Sequence, residues 1–129
     1  MLRPDLAIVL VDCDGENTRK SRLEGDLASI PCPKVIAVAV QEFEAWLLAD
    51  VPSAMRVLGA SRPFLGPPEG LKPGEAKQEL AKWVSESALA KSDSEARSLR
   101  RRLALECDLD VVTKTCGSFA STLHDMRVR

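Results

Sequence analysis

Leu6-Ala7-Ile8-Val9-Leu10-Val11-Asp12-Cys13-Asp14-Gly15 is an unbroken apolar run that ends in an acidic turn. A second run, Val35-Ile36-Ala37-Val38-Ala39-Val40, follows Pro31-Cys32-Pro33. Both are short, rich in β-branched residues and bounded by turn formers, which predicts strands. Neither alternates with polar residues, so both faces of each strand are expected to be covered, as in a parallel sheet. The segment between them, Asn17 to Ser29, is polar, with Leu23, Leu27 and Ile30 at helical spacing. Strand, helix and strand of these lengths make a βαβ unit with a right-handed crossover.

Beyond this unit the pattern turns helical. Glu42 to Asp50 and Ser53 to Leu58 read as helices. Arg62 to Gly74 carries four prolines and three glycines and reads as a loop. From Glu75, the residues Ala76, Leu80, Trp83 and Val84 recur at i, i+4, i+7 and i+8, which predicts a helix with one buried face. Ser92-Asp93-Ser94-Glu95 resembles a capping box ahead of Ala96, Leu99 and Leu103. Ser118 is placed to cap a last helix carrying Phe119, Leu123 and Met126. The expected fold is α/β: one domain over residues 1–129, with a βαβ core and acidic site in 1–50 and a helical portion in 51–129. Two strands make a marginal sheet with unpaired edges. Further strands are therefore expected from another subunit, as in a homo-oligomer, or from upstream sequence that an N-terminally truncated chain would lack.

Composition narrows the function. The 129 residues are 45% hydrophobic and 29% charged, enough for one buried core. Eighteen Lys and Arg against nineteen Asp and Glu give a net charge of −1, which argues against a globally basic nucleic-acid binder. No apolar run approaches the roughly 20 residues that cross a bilayer. The first residues lack a signal peptide, so a cytoplasmic protein without a membrane is expected. The cysteines at 13, 32, 107 and 116 form no CxxC pair, and His124 is the one histidine. That spacing argues against zinc and for thiols as small core residues.

The chemistry concentrates at the strand ends. Residues two apart on an extended chain share a side, so Asp12 and Asp14 can converge. The carboxyl end of a parallel strand is where open α/β sheets place ligands. Two carboxylates there repel unless a cation lies between them. Oxygen donors without histidine favour Mg2+ or Mn2+. The competing reading is a turn and helix cap. Adjacent strands lie about 4.8 Å apart, so Glu42 or Glu44 at the second strand's end can join the aspartates. If the chain is helical from residue 42, those two glutamates point about 160° apart, at roughly 100° per residue. First-turn glutamates also complement a helix dipole. Trp46 and Leu47 read as core, and Asp50 as a cap or a surface charge.

An apolar strand ending in Asp12-Cys13-Asp14, a second running into Glu42-Phe43-Glu44-Ala45-Trp46-Leu47-Leu48-Ala49-Asp50, and a later Cys116-Gly117-Ser118-Phe119 resemble domain-of-unknown-function family 4276. This bacterial family is uncharacterised and considered Toprim-like. The likeness runs from about Leu6 to Met126. It implies a Toprim-like fold and magnesium-dependent cleavage of phosphodiesters in nucleic acid. Asp12 and Asp14 match the metal-binding Asp-x-Asp, and Glu42 and Glu44 match the family's acidic pair, whose role is not established; the expectation here is that Glu42 or Glu44 binds the cation through water or accepts a proton. Toprim-like relatives carry a further strand and a glutamate upstream. Only five residues precede Leu6 here, and none is glutamate. Family genes often lie beside ATPase genes, which implies the alternative of a non-catalytic partner of an ATPase in a defence or DNA-maintenance system.

Other candidates have duller readings. Arg97, Arg100 and Arg101 would share a helix face able to hold phosphate, though a solvated face paired with Glu95 or Glu106 is the commoner case. Arg127 and Arg129 add charge at the C-terminal end. Lys72 and Lys77, beside the Pro-Gly loop, could swing toward a phosphate over the cleft, though lysines on a surface helix are ordinary. No Walker or dinucleotide loop is present.

Overall fold

The computed structural model describes residues 5–59, 66–87, 89 and 91–128. Strand β1 (Ala7–Asp12), helix α1 (Arg19–Asp26) and strand β2 (Lys34–Ala39) form the expected βαβ unit. The strands pair in parallel from Ala7 opposite Lys34 to Asp12 opposite Ala39. The ladder then runs on into the acidic turn. Cys13 N–H donates to the Ala39 carbonyl at 2.8 Å, and Asp14 N–H to the Gln41 carbonyl at 2.8 Å.

Six helices follow: α2 (Glu44–Leu48), α3 (Val51–Leu58), α4 (Glu75–Glu86), α5 (Asp93–Glu106), α6 (Leu109–Thr115) and α7 (Gly117–Arg127). The expected periodicity of α4 holds residue for residue, since Ala76, Leu80, Trp83 and Val84 are its buried positions. Ser92 caps α5 as expected, its Oγ accepting from Glu95 N–H at 3.2 Å. Residues 66–74 are irregular apart from a 3-10 turn at Pro68–Gly70. The earlier part of that expected loop, Arg62 to Leu65, lies outside the described residues.

Two expectations fail. The strands were expected to be covered on both faces, yet Ile8 is 53% and Leu10 47% exposed. Helices α1 and α7 both pack on β2, and among the described residues the sheet stops at β1. Continuous hydrophobicity thus describes β2, where Val35, Ile36, Ala37 and Ala39 are buried, and one side only of β1. Ser118 was expected to cap the last helix. The cap is Cys116, and Ser118 lies inside α7, because α6 occupies the preceding seven residues. Leu109-Asp110-Val111-Val112 has too short an apolar pattern to announce a helix by periodicity.

The main core lies between α2, α3, α4 and α5, around Leu48, Leu58, Leu80, Trp83 and Leu103. Burying each such leucine contributes about 1.5–3 kcal/mol. A second cluster joins Ala37 and Ala39 of β2 to Trp46, Val112 and Cys116. Phe43 packs against both clusters. Short α2 therefore sits at the centre, with Ala45, Trp46, Leu47 and Leu48 all buried. This is why the acidic residues just before it are fixed in place. Among the described residues no helix is long and apolar enough to cross a membrane.

Candidate functional site

Asp12 closes β1 half-buried, and its Oδ1 accepts from Phe43 N–H at 2.7 Å. Phe43 stands at the start of α2, so this carboxylate caps the helix from the neighbouring strand. Asp14 is exposed and adopts φ 48°, a left-handed conformation that Asp tolerates better than most residues. Gly15, at φ 79°, continues the turn and donates its N–H to Gln41 Oε1 at 2.5 Å. The turn is thereby tied to the end of the second strand.

Nearby cations do not neutralise the two aspartates. Arg19 donates to the Asp12 main-chain carbonyl. Its Nε also pairs with Glu16 at 3.0 Å, and Arg22 meets the same Glu16 at 2.5 Å. Among the described residues no ion pair involves the Asp12 or Asp14 carboxylate.

The glutamates go separate ways, although the helix expected over Glu42 to Asp50 spans only Glu44–Leu48 and Glu42 precedes it. Glu42 is 2% exposed. Its Oε1 accepts from Gly74 N–H and its Oε2 from Lys77 N–H at 3.1 Å. Gly74 holds φ 90°, a conformation that suits glycine and delivers the first amide of α4 to this carboxylate. Glu44 starts α2 half-buried, with its Oε2 sealed from solvent and lacking a donor. The structure therefore places Asp12 at the end of β1 and Asp14 in the left-handed turn after it, ties Glu42 to α4, and leaves one buried Glu44 oxygen without a hydrogen-bond donor. Among the described residues no three of His, Cys, Asp or Glu form a group that could cage a metal.

Three residues outside the expected set shape this region. Gln41 pins the acidic turn. Glu69 accepts from Ser118 N–H at 3.1 Å and from Ser118 Oγ, while Trp46 Nε1 donates to the same Oγ at 2.9 Å. Asp50, expected as a cap, is a buried one. It accepts from Ser53 N–H at 3.2 Å, Ser53 Oγ at 2.5 Å and Asp108 N–H at 2.6 Å. Burial works to raise its pKa, but the bonds from Asp108 and Ser53, with Arg56 nearby, outweigh it and hold the carboxyl below 3.8. Asp50-Val51-Pro52 carried the signal for that cap. Glu69 and Gln41 act across long sequence separations, where no local pattern points to them.

The remaining candidates take the duller reading except Arg100, which is half-buried with its Nε sealed from solvent and lacking an acceptor. Arg97 and Arg101 are exposed, and Arg102 pairs with Glu106 at 3.3 Å. Lys72, Lys77, His124 and Arg127 are exposed, and Arg129 lies outside the described residues. Cys13 and Cys116 are buried, as small core thiols should be. Burial, with Glu69 adding its charge, pushes the Cys116 thiol up to about 12. Burial and then Asp50 also raise Cys107. A thiol held protonated in this way is a poor nucleophile.

A family model described as Domain of unknown function (DUF4276) matches residues 3–127. No curated protein and no solved structure matches the chain.

Proposed function

The chain belongs to the DUF4276 family, and from that premise we propose that it is a magnesium-dependent phosphodiester hydrolase acting on nucleic acid. The observation that carries this reading is an aspartate at the carboxyl end of a parallel strand with a second in the turn after it, neither carboxylate ion-paired among the described residues. The donor set fits the ion. Magnesium keeps several waters and commonly takes one or two protein carboxylates plus the phosphates of its substrate. A pair of aspartates meets that need without a third carboxylate. Asp12 and Asp14 would hold magnesium, or manganese in its place.

When bound, such an ion polarises a phosphoryl oxygen and lowers the pKa of an attacking water. The chain's own residues do the rest. Phe43 N–H fixes Asp12, and Gln41 fixes the turn that carries Asp14. Glu44, whose Oε2 lacks a donor, would be the proton acceptor. Glu42 acts as a positioning residue, holding the first turn of α4 against the strand end.

The test is calorimetry with Mg2+ and Mn2+, with and without a phosphorothioate oligonucleotide that resists cleavage. The wild type should give heats that strengthen when the oligonucleotide is present, and Asp12→Asn/Asp14→Asn should give none. Equal heats in both proteins would remove the proposal.

A second reading, a non-catalytic partner of an ATPase in a defence or DNA-maintenance system, is favoured by the bare side of β1. Ile8 and Leu10 are both about half exposed on one face of β1, an apolar surface suited to packing against a partner. A second copy of this chain could cover it. No cleavage in manganese, together with a purified ATPase complex lost on Leu10→Lys, would favour this reading over the hydrolase.

A further inference from the structure

An apolar pocket of about 170 Å3 opens between α2, α6, α7 and the end of α5. Phe43, Trp46, Val112 and Phe119 wall it, and Leu109 stands at its mouth with 54% of its surface exposed. Leu105, next along from the lining residue Ala104, is 76% exposed. From this pocket and its rim we infer a docking site for a partner polypeptide that inserts one aliphatic or aromatic side chain, carried on a segment flanked by lysine or arginine.

The walls are already built. Phe43 meets Trp46 edge to face at 5.8 Å between ring centroids, and Trp46 meets Phe119 in the same way at 5.0 Å. Rings locked against one another leave little ordering to be done on binding, the condition under which a pocket yields affinity. The pocket also lacks a free polar handle, because the indole N–H of Trp46 is already engaged by Ser118. It suits an apolar anchor and cannot read the hydrogen-bonding edge of a base.

Charge selects the anchor's surroundings. Glu106, Asp108 and Asp110 are all exposed beside Leu105 and Leu109. Arg102 is held by Glu106, and Asp108 Oδ1 accepts from Asp110 N–H at 2.9 Å. With Glu106 paired to Arg102, Asp108 and Asp110 are the carboxylates left beside exposed Leu109, and they repel a phosphate backbone and attract a cationic peptide. An apolar anchor in a preformed pocket inside a charged rim is the usual form of a binding hot spot. This inference involves neither Asp12 nor Asp14, so it stands or falls apart from the hydrolase reading.

The probe is a set of three synthetic amphipathic helices: a central leucine flanked by lysines, the same flanked by glutamates, and the lysine form with the leucine replaced by alanine. Methyl NMR on the full chain follows Leu105, Leu109 and Val112. The lysine-flanked peptide should shift these methyls and bind at least about ten-fold tighter than either control, the size of effect expected of an anchor and of charge matching. Leu109→Lys, at an exposed position, should abolish those shifts while circular dichroism and the metal heats stay as in the wild type. The inference is overturned if no peptide moves these methyls, or if lysine and glutamate forms bind alike. It is also overturned if oligothymidylate shifts the same methyls, or if ultracentrifugation shows a dimer in which a second copy covers them.

Discussion

The acids of the helical half and the acids at the end of β1 are the same chemical groups in opposite circumstances. Helices α4 and α7 begin at Gly74 and Cys116, neither of which supplies a side-chain cap. Each receives one from a distant glutamate instead, Glu42 for α4 and Glu69 for α7. Asp50 caps α3 and also reaches the amide that opens α6. Asp12 stands between the two circumstances, with one oxygen on the first amide of α2. Asp14 is exposed in its turn. What separates structural acids from a candidate site here is the supply of backbone N–H groups, since an uncapped helix start carries several unpaired donors. Among these acids the division follows topology: helix starts take Glu42, Glu69 and Asp50, while Asp14 in the turn after β1 stays exposed.

The comparison is most exposed to failure at Asp50. Asp50→Ala removes an acceptor of three hydrogen bonds, unties α3 from α6 and leaves the Asp108 amide without its partner. A loss of roughly 3 kcal/mol is expected by urea denaturation, from one helix cap plus one buried charged bond. A smaller variant checks the same point through pH. The folded pKa of Asp50 lies below its ordinary value of 3.8. Its contribution is then complete above the unfolded value and disappears as pH falls through the folded one. The urea midpoint of the wild type should drop more steeply than that of Asp50→Asn as pH is lowered from 5 to 2. Parallel curves would mean the carboxylate has no special partners.

Glu42 comes next. Glu42→Gln keeps the shape and one acceptor oxygen but loses the charge facing the first turn of α4. About 1–2 kcal/mol of stability should go, the usual size for a charge-assisted bond at a helix start. If Glu42→Gln instead melts like the wild type yet abolishes metal heats, Glu42 belongs with the open acids and the division drawn above is wrong.

The sequence showed most of what depends on neighbours along the chain. The βαβ unit, the buried stripe of α4, the Ser92 cap and the core role of Trp46 and Leu47 all follow from spacings of a few residues. Coverage of β1 was misjudged because an apolar run reports what a strand could bury, while the partners of Ile8 and Leu10 depend on how many strands assemble. The engagement of Glu42 could not be foreseen either. It depends on Gly74 and Lys77, more than thirty residues away, and on glycine turning an amide toward it. Helix α6 is only seven residues long and depends on packing around Val112 more than on any propensity of its own. At the acidic turn itself, Asp-x-Asp-Gly announced both a metal pair and a turn, and the left-handed Asp14 shows that the turn is present in either case.

The smallest expected change in stability belongs to Asp14, and it bears most directly on the site. Asn adopts the left-handed conformation as readily as Asp, so Asp14→Asn keeps the turn at φ 48° and removes only the charge. Exposed substitutions of this kind usually stay within about 0.5 kcal/mol, and relief of repulsion with Asp12 pushes the change toward greater stability. Metal heats should fall sharply in the same protein if, as proposed, Asp12 and Asp14 share a cation, since it would lose one of two ligands. A melt unchanged from the wild type with the heats gone places Asp14 among acids kept for a ligand. A clear loss of stability would mean instead that its carboxylate holds the fold, and the contrast between the two halves would reduce to a difference in solvent exposure.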